Sequence, residues 1–262
     1  MTNPPILEFK DVTKVFYKGA QPVVALDGLN ISLEEGEFVS VVGPSGCGKS
    51  TLLNLAAGLS PAAKGEVIYR GKPVDKINLA VGYITQHDNL LPWATVRKNI
   101  TMGLKIRRVP EAERKQRLEH YLELTGLKGF ENHYPAELSG GMRKRCSLAR
   151  TLIYSPEMVL MDEPFSALDA HVKMIMHKEL LRIWDEERKT ILFITHDLVE
   201  AITLSDRIIV LSARPGQVKQ VMQVNLPRPR DPFTLHTKPE FSAIFESLWS
   251  GLKDDIYKGE NV

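Results

Sequence analysis

The sequence lacks any hydrophobic run long enough to cross a bilayer, and it has only two cysteines. Its apolar stretches, such as 38–42 and 158–161, are far shorter than the roughly 20 residues that a membrane-spanning helix needs. Cys47 and Cys146 are too few for a disulfide framework, which favours a reducing compartment. No basic start followed by an apolar run opens the sequence, so no signal peptide is expected.

The sequence also has almost no excess of charge of either sign. Lys and Arg number 34 and Asp and Glu 32, which gives a formal net charge of +2 over 262 residues. That balance argues against a polybasic nucleic-acid binder, although a local basic patch remains compatible with it. With 43% hydrophobic residues, the chain is able to bury a full core and is not a disordered one.

Short strand-like runs alternate with helical patterns over much of the chain. Runs rich in Val, Ile and Phe predict strands at 6–9, 29–33, 37–42, 66–69, 81–85, 158–161, 191–194 and 208–211. Helical patterns separate the later runs, which predicts a mostly parallel sheet covered on both faces. The early, closely spaced strands and the late run 217–224 favour antiparallel pairing. Between 95 and 135 the strands stop, and a helical insertion is expected there.

The C-terminal part has a different pattern. The Pro-rich stretch 227–232 predicts an extended linker. Apolar residues then recur at helical spacing and predict an amphipathic helix: Phe241, Ile244, Phe245, Leu248, Trp249 and Leu252. We expect this helix to pack on the same subunit, with a dimer or partner contact as the alternative.

Residues 43–50 match the pattern G-x-x-x-x-G-K-[ST], between a predicted strand and a predicted helix. Glycines in such a loop let backbone N–H groups surround a polyanion at the positive end of a helix. Lys49 is expected to reach the β- and γ-phosphates of a nucleotide, and the Ser50 hydroxyl to ligate Mg²⁺. The segment therefore predicts a nucleotide-binding phosphate loop.

A second chemical signal is a pair of acids at the end of the strand 158–161, namely Asp162 and Glu163. An aspartate at the carboxyl end of a neighbouring strand is placed to hold Mg²⁺ or its water. A second acid directly after it can sit beside the γ-phosphate and accept a proton from an attacking water. Alone, the pair has the alternative interpretation of a polar strand end; together with the phosphate loop it predicts a catalytic site.

Together with the phosphate loop and the acidic pair, four further motifs resemble the nucleotide-binding subunit of ATP-binding cassette (ABC) transporters, over about residues 6–224. They are Gln86, the signature segment 138–141, the segment 166–169 and the segment 195–197 around His196. The resemblance implies an α/β fold: a P-loop NTPase ABC cassette with a mostly parallel core sheet, an N-terminal antiparallel β-subdomain and an inserted α-helical subdomain. The cassette would occupy 1–230, with the insertion at about 87–155, and 231–262 would form the C-terminal linker and amphipathic helix.

The same resemblance assigns roles to individual residues. It implies Glu163, His196 and Gln86 as catalytic residues, and Ser50, Gln86 and Asp162 as metal ligands. Phe16 is expected to stack on adenine, with Tyr17 as the alternative. The implied nucleotide-binding set is Phe16, Gly43, Pro44, Ser45, Gly46, Cys47, Gly48, Lys49, Ser50, Thr51, Ser139, Gly140, Gly141 and Asp169. In the family the signature caps ATP on the opposite subunit, so catalysis would require a dimer.

One departure from the family pattern follows the signature glycines. Met142 stands where the commonest signature has Gln, and a basic triplet, 143–145, comes next. The phosphate-facing Ser and Gly residues are intact, so activity is still expected. The triplet has two interpretations: it attracts nucleotide, or it forms a solvated helix face.

The stretch 88–96, with Leu91, Pro92 and Trp93 before Thr95 and Val96, resembles importers of nitrate, bicarbonate, taurine and alkanesulfonates. Exposed apolar side chains here would receive a helix of a membrane partner; the alternative is that Leu91 and Trp93 form the local core of the insertion.

Membership of that group implies an ATPase with ATP and Mg²⁺ as cofactors, on the cytoplasmic face of the inner (plasma) membrane. Its partners would be a second ATPase subunit, identical or different, transmembrane permease subunits and, indirectly, an extracytoplasmic solute-binding protein. No nucleic acid is expected. Two alternatives are an importer ATPase for a pyrimidine vitamin precursor and a soluble ABC-type ATPase acting on nucleic acid or ribosomes.

Overall fold

The structure, a computed structural model, describes residues 4–259 and contains two sheets and seven α-helices within that range. The strands are β1 (Leu7–Lys18), β2 (Gln21–Leu33), β3 (Phe38–Val42), β4 (Lys64–Tyr69), β5 (Lys72–Pro73), β6 (Val81–Ile84), β7 (Met158–Asp162), β8 (Thr190–Ile194), β9 (Arg207–Leu211) and β10 (Val218–Gln223). The helices are α1 (Lys49–Ala56), α2 (Val96–Ile106), α3 (Glu111–Leu124), α4 (Gly140–Leu152), α5 (Ala170–Glu187), α6 (Leu198–Leu204) and α7 (Pro239–Gly259).

The larger sheet has the strand order β10-β9-β3-β8-β7-β6. Its neighbours from β9 to β6 run parallel, and β10 is antiparallel to β9. Every residue of β3 and β8 is buried, as a continuous apolar run in a doubly covered sheet requires. The prediction of an α/β fold with a mostly parallel core sheet is confirmed.

The smaller sheet is antiparallel, in the order β2-β1-β4-β5. Its two long strands extend well beyond the predicted runs 6–9 and 29–33. Lys10 and Asp11 are both exposed, and the pairing of β1 with β2 shifts register between Phe9 and Val12. This irregularity breaks the alternation of apolar and polar residues and hides the continuation of β1 in the sequence. The extension pairs Phe16 with Val23 and so carries an aromatic ring beyond the end of β4.

Helices α2, α3 and α4 lie between β6 and β7, where the helical insertion is predicted. One cluster of buried residues joins them to the sheet; among its members are Ile100, Leu118, Leu148, Val159 and Phe193. Because this core is continuous, the insertion is packed on the sheet rather than tethered to it.

The C-terminal segment is held firmly to the sheet. Phe241, Leu248 and Leu252 of α7 share a buried cluster with Ile202 of α6, while Trp249 is 43% exposed and lies outside that buried face.

The 227–232 stretch is anchored rather than solvated, because the buried Arg230 donates to five backbone carbonyls. Burial and the nearby charge of Arg228 lower the pKa of Arg230 to about 10, which leaves it charged at neutral pH.

None of the helices within residues 4–259 combines the length and the apolar character that crossing a membrane demands.

Candidate functional site

The site lies at the carboxyl edge of the parallel sheet. Strands β3, β8 and β7 are consecutive neighbours, and parallel strands end at the same edge. The phosphate loop 43–48 follows β3, Asp162 ends β7 and is followed by Glu163, and His196 comes two residues after β8. The fold therefore brings the phosphate loop to two motifs that lie more than 100 residues later in the chain.

The phosphate loop curls around the side chain of Lys49. Gly46 and Gly48 have φ values of +74° and +105°, in the left-handed region that favours glycine. A Cβ at Gly48 would also stand 2.9 Å from the carbonyl oxygen of Ala25, so both the backbone conformation and the close approach of β2 favour glycine there. Lys49 Nζ is buried and donates to the carbonyl oxygens of Gly43 and Pro44 at 2.8 and 3.0 Å. A positive charge is thus fixed within the loop.

Ser50 and Asp162 form the candidate metal-binding pair. The Ser50 hydroxyl donates to Asp162 Oδ1 at 3.1 Å. Burial raises the pKa of Asp162, and the charge of Glu163 adds to that shift while the hydrogen bond from Ser50 opposes it. A cation bound here would favour the ionised carboxylate and offset the cost of its burial.

The donor set fits Mg²⁺ in particular. A hydroxyl and a carboxylate are hard oxygen ligands, and Mg²⁺ is usually held by one or two carboxylates together with substrate phosphates. Among the described residues there is no cluster of three or more His, Cys, Asp or Glu side chains that would hold a metal by themselves. Ser50 and Asp162 would therefore supply part of a magnesium shell that a nucleotide would complete.

Glu163 is held in an uncommon backbone conformation, with φ at +43°. A left-handed glutamate costs on the order of 1 kcal/mol, and here the backbone is held on both sides. Its N–H donates to the carbonyl oxygen of Ile194 at 3.0 Å, and its carbonyl oxygen accepts from Ser166 Oγ at 3.0 Å. The fold stabilises a turn that brings the Glu163 side chain into the cleft.

His196 contacts Glu163 directly, with Nδ1 3.0 Å from Oε2. A carboxylate in its ionised form only accepts hydrogen bonds, so this contact with an ionised Glu163 requires the hydrogen on Nδ1. A neutral ring in that tautomer has no hydrogen on Nε2. To donate to a phosphate, His196 must therefore gain a proton or turn away from Glu163.

A cleft of about 340 Å³ lies over the phosphate loop. It is lined by Phe16, Val23, Ala25, Ser45, Gly46, Gly48, Lys49, Ser50, Thr51, Glu163 and Arg214. Phe16 reaches it from the extension of β1, whereas Tyr17 is 74% exposed and is not among the lining residues. The structure favours Phe16 over Tyr17 as the aromatic contact. Cys47 is buried and contributes only backbone to the loop.

Gln86 approaches the acidic pair through a serine. Its Nε2 donates to Ser166 Oγ at 3.1 Å, and that hydroxyl in turn donates to the Glu163 carbonyl. Gln86 does not line the 340 Å³ cleft. It is connected to the backbone of Glu163 through the Ser166 hydroxyl.

The signature segment is not brought to the cleft. Ser139 caps α4, its Oγ accepting from Met142 N at 3.2 Å. A Cβ at Gly140 or Gly141 would contact Leu168 or Val172, at 3.8 and 2.9 Å. Asp169 caps α5 by accepting from Val172 N at 3.0 Å. Within the described residues, these predicted nucleotide contacts lie outside the phosphate-loop cavity.

Both interpretations of the basic triplet are wrong for Lys144. It is 5% exposed, and its Nζ donates to the carbonyl oxygens of Gln86 and Thr85 at 2.5 and 3.3 Å and pairs with Asp88 Oδ1 at 3.1 Å. Burial lowers its pKa, while the charge of Asp88 and the contact with it oppose that shift. Lys144 therefore connects α4, the helix that the signature segment begins, to the segment 85–88 around Gln86 through hydrogen bonds and an ion pair.

The backbone of the 91–95 segment is held by hydrogen bonds from a buried side chain, whereas the side chain of Trp93 is exposed to solvent. The buried Asn99 amide donates to the carbonyls of Leu91, Ala94 and Thr95. Trp93 is 73% exposed, so the interpretation as local core is wrong for Trp93. Leu91 is partly buried.

Comparisons with known proteins show what the whole chain is similar to. Residues 26–166 match the family model described as ABC transporter. An uncharacterized ABC transporter ATP-binding protein of Methanocaldococcus jannaschii is 45% identical over 252 residues, 96% of this chain and 93% of that protein. The aliphatic sulfonates import ATP-binding protein SsuB of Bacillus cereus is 44% identical over 219 residues, which are 84% of this chain and 86% of that protein. A solved dimer of an ATP-binding cassette in a post-hydrolysis state, bound to ADP and Pi, superposes with a TM-score of 0.74 at 31% identity, covering 84% of this chain and 100% of that chain.

Proposed function

The chain belongs to the ABC transporter family as an ATPase that uses ATP and Mg²⁺, and we propose that it energises an importer for a small anion, most specifically an aliphatic sulfonate. The observation that supports ATP hydrolysis is the meeting of Lys49, the Ser50–Asp162 pair and the Glu163–His196 pair at one edge of the sheet. The import ATPase for aliphatic sulfonates, which shares 44% of its aligned residues with this chain, supports the solute class.

The phosphate loop would bind the nucleotide through its backbone N–H groups and the Lys49 ammonium. Phe16 would stack on the adenine ring at the other end of the cleft. Ser50, Asp162 and Gln86 would hold Mg²⁺, which when bound neutralises charge on the phosphates.

Hydrolysis would then depend on Glu163 and His196. Glu163 would accept the proton of the attacking water, a role that its position in the cleft beside Lys49 supports. His196 would orient that carboxylate through Nδ1 and donate to the γ-phosphate once it is protonated or turned. The left-handed backbone at Glu163 would keep the carboxylate close to the place where the water must stand.

The complete site, on this proposal, needs a second ATPase subunit, identical or different. The signature segment lies outside the cleft of its own chain, and the solved relative is a dimer. The remaining partners would be permease subunits and, through them, an extracytoplasmic solute-binding protein, with this chain on the cytoplasmic face of the membrane. The exposed Trp93 side chain lies on a segment fixed by Asn99 and would serve as a permease contact.

The test of transport uses the ATPase assembled with its permease subunits in proteoliposomes. ATP-dependent uptake is measured for an alkanesulfonate, taurine, nitrate, bicarbonate and a pyrimidine vitamin precursor, with the Lys49→Ala variant as the inactive control. Uptake of an alkanesulfonate in preference to the other anions supports the proposal. Uptake of a pyrimidine vitamin precursor alone, or ATPase activity stimulated by nucleic acid and not by permease subunits, would overturn it.

Trp93→Ala tests the permease contact separately. Capture of the permease subunits is expected to weaken while the melting temperature of the isolated subunit is unchanged, because the indole contributes little to the core. Trp249→Ala, at a tryptophan that is 43% exposed and lies outside the 91–95 segment, is the matched control. Equal capture by both variants and the wild type contradicts a permease contact at Trp93.

A further inference from the structure

Arg214 lies in the nucleotide cleft although none of the sequence motifs includes it. It belongs to the loop 212–217 between β9 and β10. Strand β9 is a parallel neighbour of β3, so the loop after β9 starts at the same edge of the sheet as the phosphate loop after β3. The two loops are therefore neighbours in space while 168 residues separate Arg214 from Gly46.

The Arg214 loop is built into the wall of the site. Gly216 exchanges backbone hydrogen bonds with β2, its N–H donating to Ala25 O at 2.9 Å and its carbonyl accepting from Asp27 N at 3.1 Å. A Cβ at Gly216 would collide with the carbonyl oxygen of Cys47. The Gln217 side chain also donates to Asp27 Oδ2 at 2.9 Å. These contacts hold the loop against the phosphate loop.

Only some of the N–H groups of the Arg214 guanidinium form hydrogen bonds within the protein. Its Nε and Nη2 donate to the carbonyl oxygen of Gly46 at 3.3 and 3.1 Å. Arginine carries five N–H donors, so three remain beyond these two bonds. No carboxylate of the described side chains forms an ion pair with it, and the residue lines the cleft together with Phe16 and Lys49.

We propose that Arg214 is a further nucleotide-binding residue, whose guanidinium supplies charge-assisted hydrogen bonds to the polyphosphate of the bound nucleotide. This inference rests on the proposed function, since it concerns the same cleft. An arginine presents a planar fork of donors that suits phosphate oxygens. Its bonds to Gly46 fix that fork before the nucleotide arrives, which lowers the entropic cost of using it.

The experiment measures the affinities of Mg²⁺-ATP and AMP for the isolated subunit by competition with a fluorescent ATP analogue. Arg214→Gln removes the charge but leaves an amide that is able to donate to Gly46. We expect ATP to bind about tenfold more weakly or worse, as for one lost charge-assisted hydrogen bond, and AMP to be affected much less. Arg214→Lys is expected to recover part of the ATP affinity.

Salt dependence gives a second measurement. Added salt screens the attraction between a guanidinium and a polyphosphate, so the ATP affinity of Arg214→Gln is expected to fall less steeply with salt than that of the wild type. The matched control is Arg107→Gln, at an exposed arginine that likewise donates to a carbonyl, that of Leu79 at 3.0 Å, and does not line the cleft.

The outcomes separate this inference from the proposed function. If the wild type does not bind Mg²⁺-ATP, or binds it no better than Lys49→Ala does, the proposed function fails and the inference with it. If the wild type binds and Lys49→Ala does not, while Arg214→Gln keeps the wild-type preference for ATP over AMP and the wild-type salt dependence, Arg214 only supports the loop and the inference alone is overturned.

Discussion

The phosphate loop and the signature segment are both glycine-containing turns at the start of a helix, yet their surroundings differ. Beside the phosphate loop, the ends of β7 and β8 supply Asp162, Glu163 and His196. Asp162 lies within hydrogen-bond distance of Ser50, and His196 lies within hydrogen-bond distance of Glu163. The signature glycines pack instead on Leu168 and Val172. A helix N-terminus attracts anions, but it forms a site only where neighbouring elements add ligands and a cavity.

The difference indicates which part of the nucleotide site each chain of the proposed dimer would supply. One chain supplies a nearly complete phosphate cleft, and the signature of the other chain would close it. Variants of the first region are therefore expected to act on chemistry in the same chain, and variants of the second on association between chains.

The largest effect is expected for Glu163→Gln, which keeps the shape of the side chain but removes its basicity. ATP turnover of the assembled transporter is expected to fall by about 10²–10⁴-fold, while ATP binding is retained because the phosphate loop is unchanged. Phosphate release and nucleotide affinity are the two measurements. Turnover within a few-fold of the wild type would remove Glu163 from the role of general base.

Ser139→Arg tests the second region. In the Glu163→Gln background, an ATP-dependent dimer is expected because one negative charge beside the γ-phosphate is lost; adding Ser139→Arg should abolish that dimer by filling the phosphate-facing position. Light scattering after size-exclusion chromatography, with Mg²⁺ chelated, measures the mass with and without ATP. The same substitution at the exposed Ser242 is the control. A dimer that survives Ser139→Arg undiminished argues against the composite site.

Lys144 connects the two regions, since it lies on the signature helix and bonds the carbonyl of Gln86. Lys144→Met is expected to lower kcat by roughly tenfold, as for one lost hydrogen bond to a charged donor, with the ATP affinity of the isolated subunit unchanged. Lys144→Gln, which still has donors for a carbonyl, should recover part of kcat. Equal kcat in all three proteins would show that this link is structural only.

The contiguous motifs of the site could be predicted from the sequence, whereas its contacts to distant carbonyls could not. The phosphate loop has a fixed residue spacing after an apolar strand, which predicts it directly, and its presence gives meaning to the acidic pair at the end of another apolar strand. Lys144 and Arg214 bind backbone carbonyls 58 and 168 residues away. Every residue has a carbonyl, so no residue type marks such an acceptor in the sequence.

The two sheets also differ in how well the sequence predicts their strands. The strands of the parallel sheet are buried on both faces and stand out as apolar runs, as β3 and β8 do. In β1 the adjacent exposed residues Lys10 and Asp11 interrupt the apolar pattern after residue 9, where the pairing with β2 shifts register, so the sequence does not predict the extension that carries Phe16 to the cleft as strand.

The smallest expected effect concerns the stability of the chain at Asp162. Burial raises the pKa of this carboxyl in the folded chain, so at neutral pH the ionised carboxylate costs stability. This cost shrinks as the pH falls below the raised pKa and is gone below the ordinary pKa that the carboxyl has in the unfolded chain. Asp162→Asn is therefore expected to raise the melting temperature of the nucleotide-free subunit by ~1–3 °C at neutral pH, and by less in acid. Asp75→Asn, at an exposed carboxylate, controls for the change in net charge.

With Mg²⁺ and ATP present, the order of the melting temperatures of the wild type and Asp162→Asn should reverse. The wild type gains the stabilisation of the bound ligand, whereas the variant has lost a magnesium ligand. A variant that melts below the wild type without nucleotide would show instead that the Ser50–Asp162 hydrogen bond outweighs the cost of burying the charge.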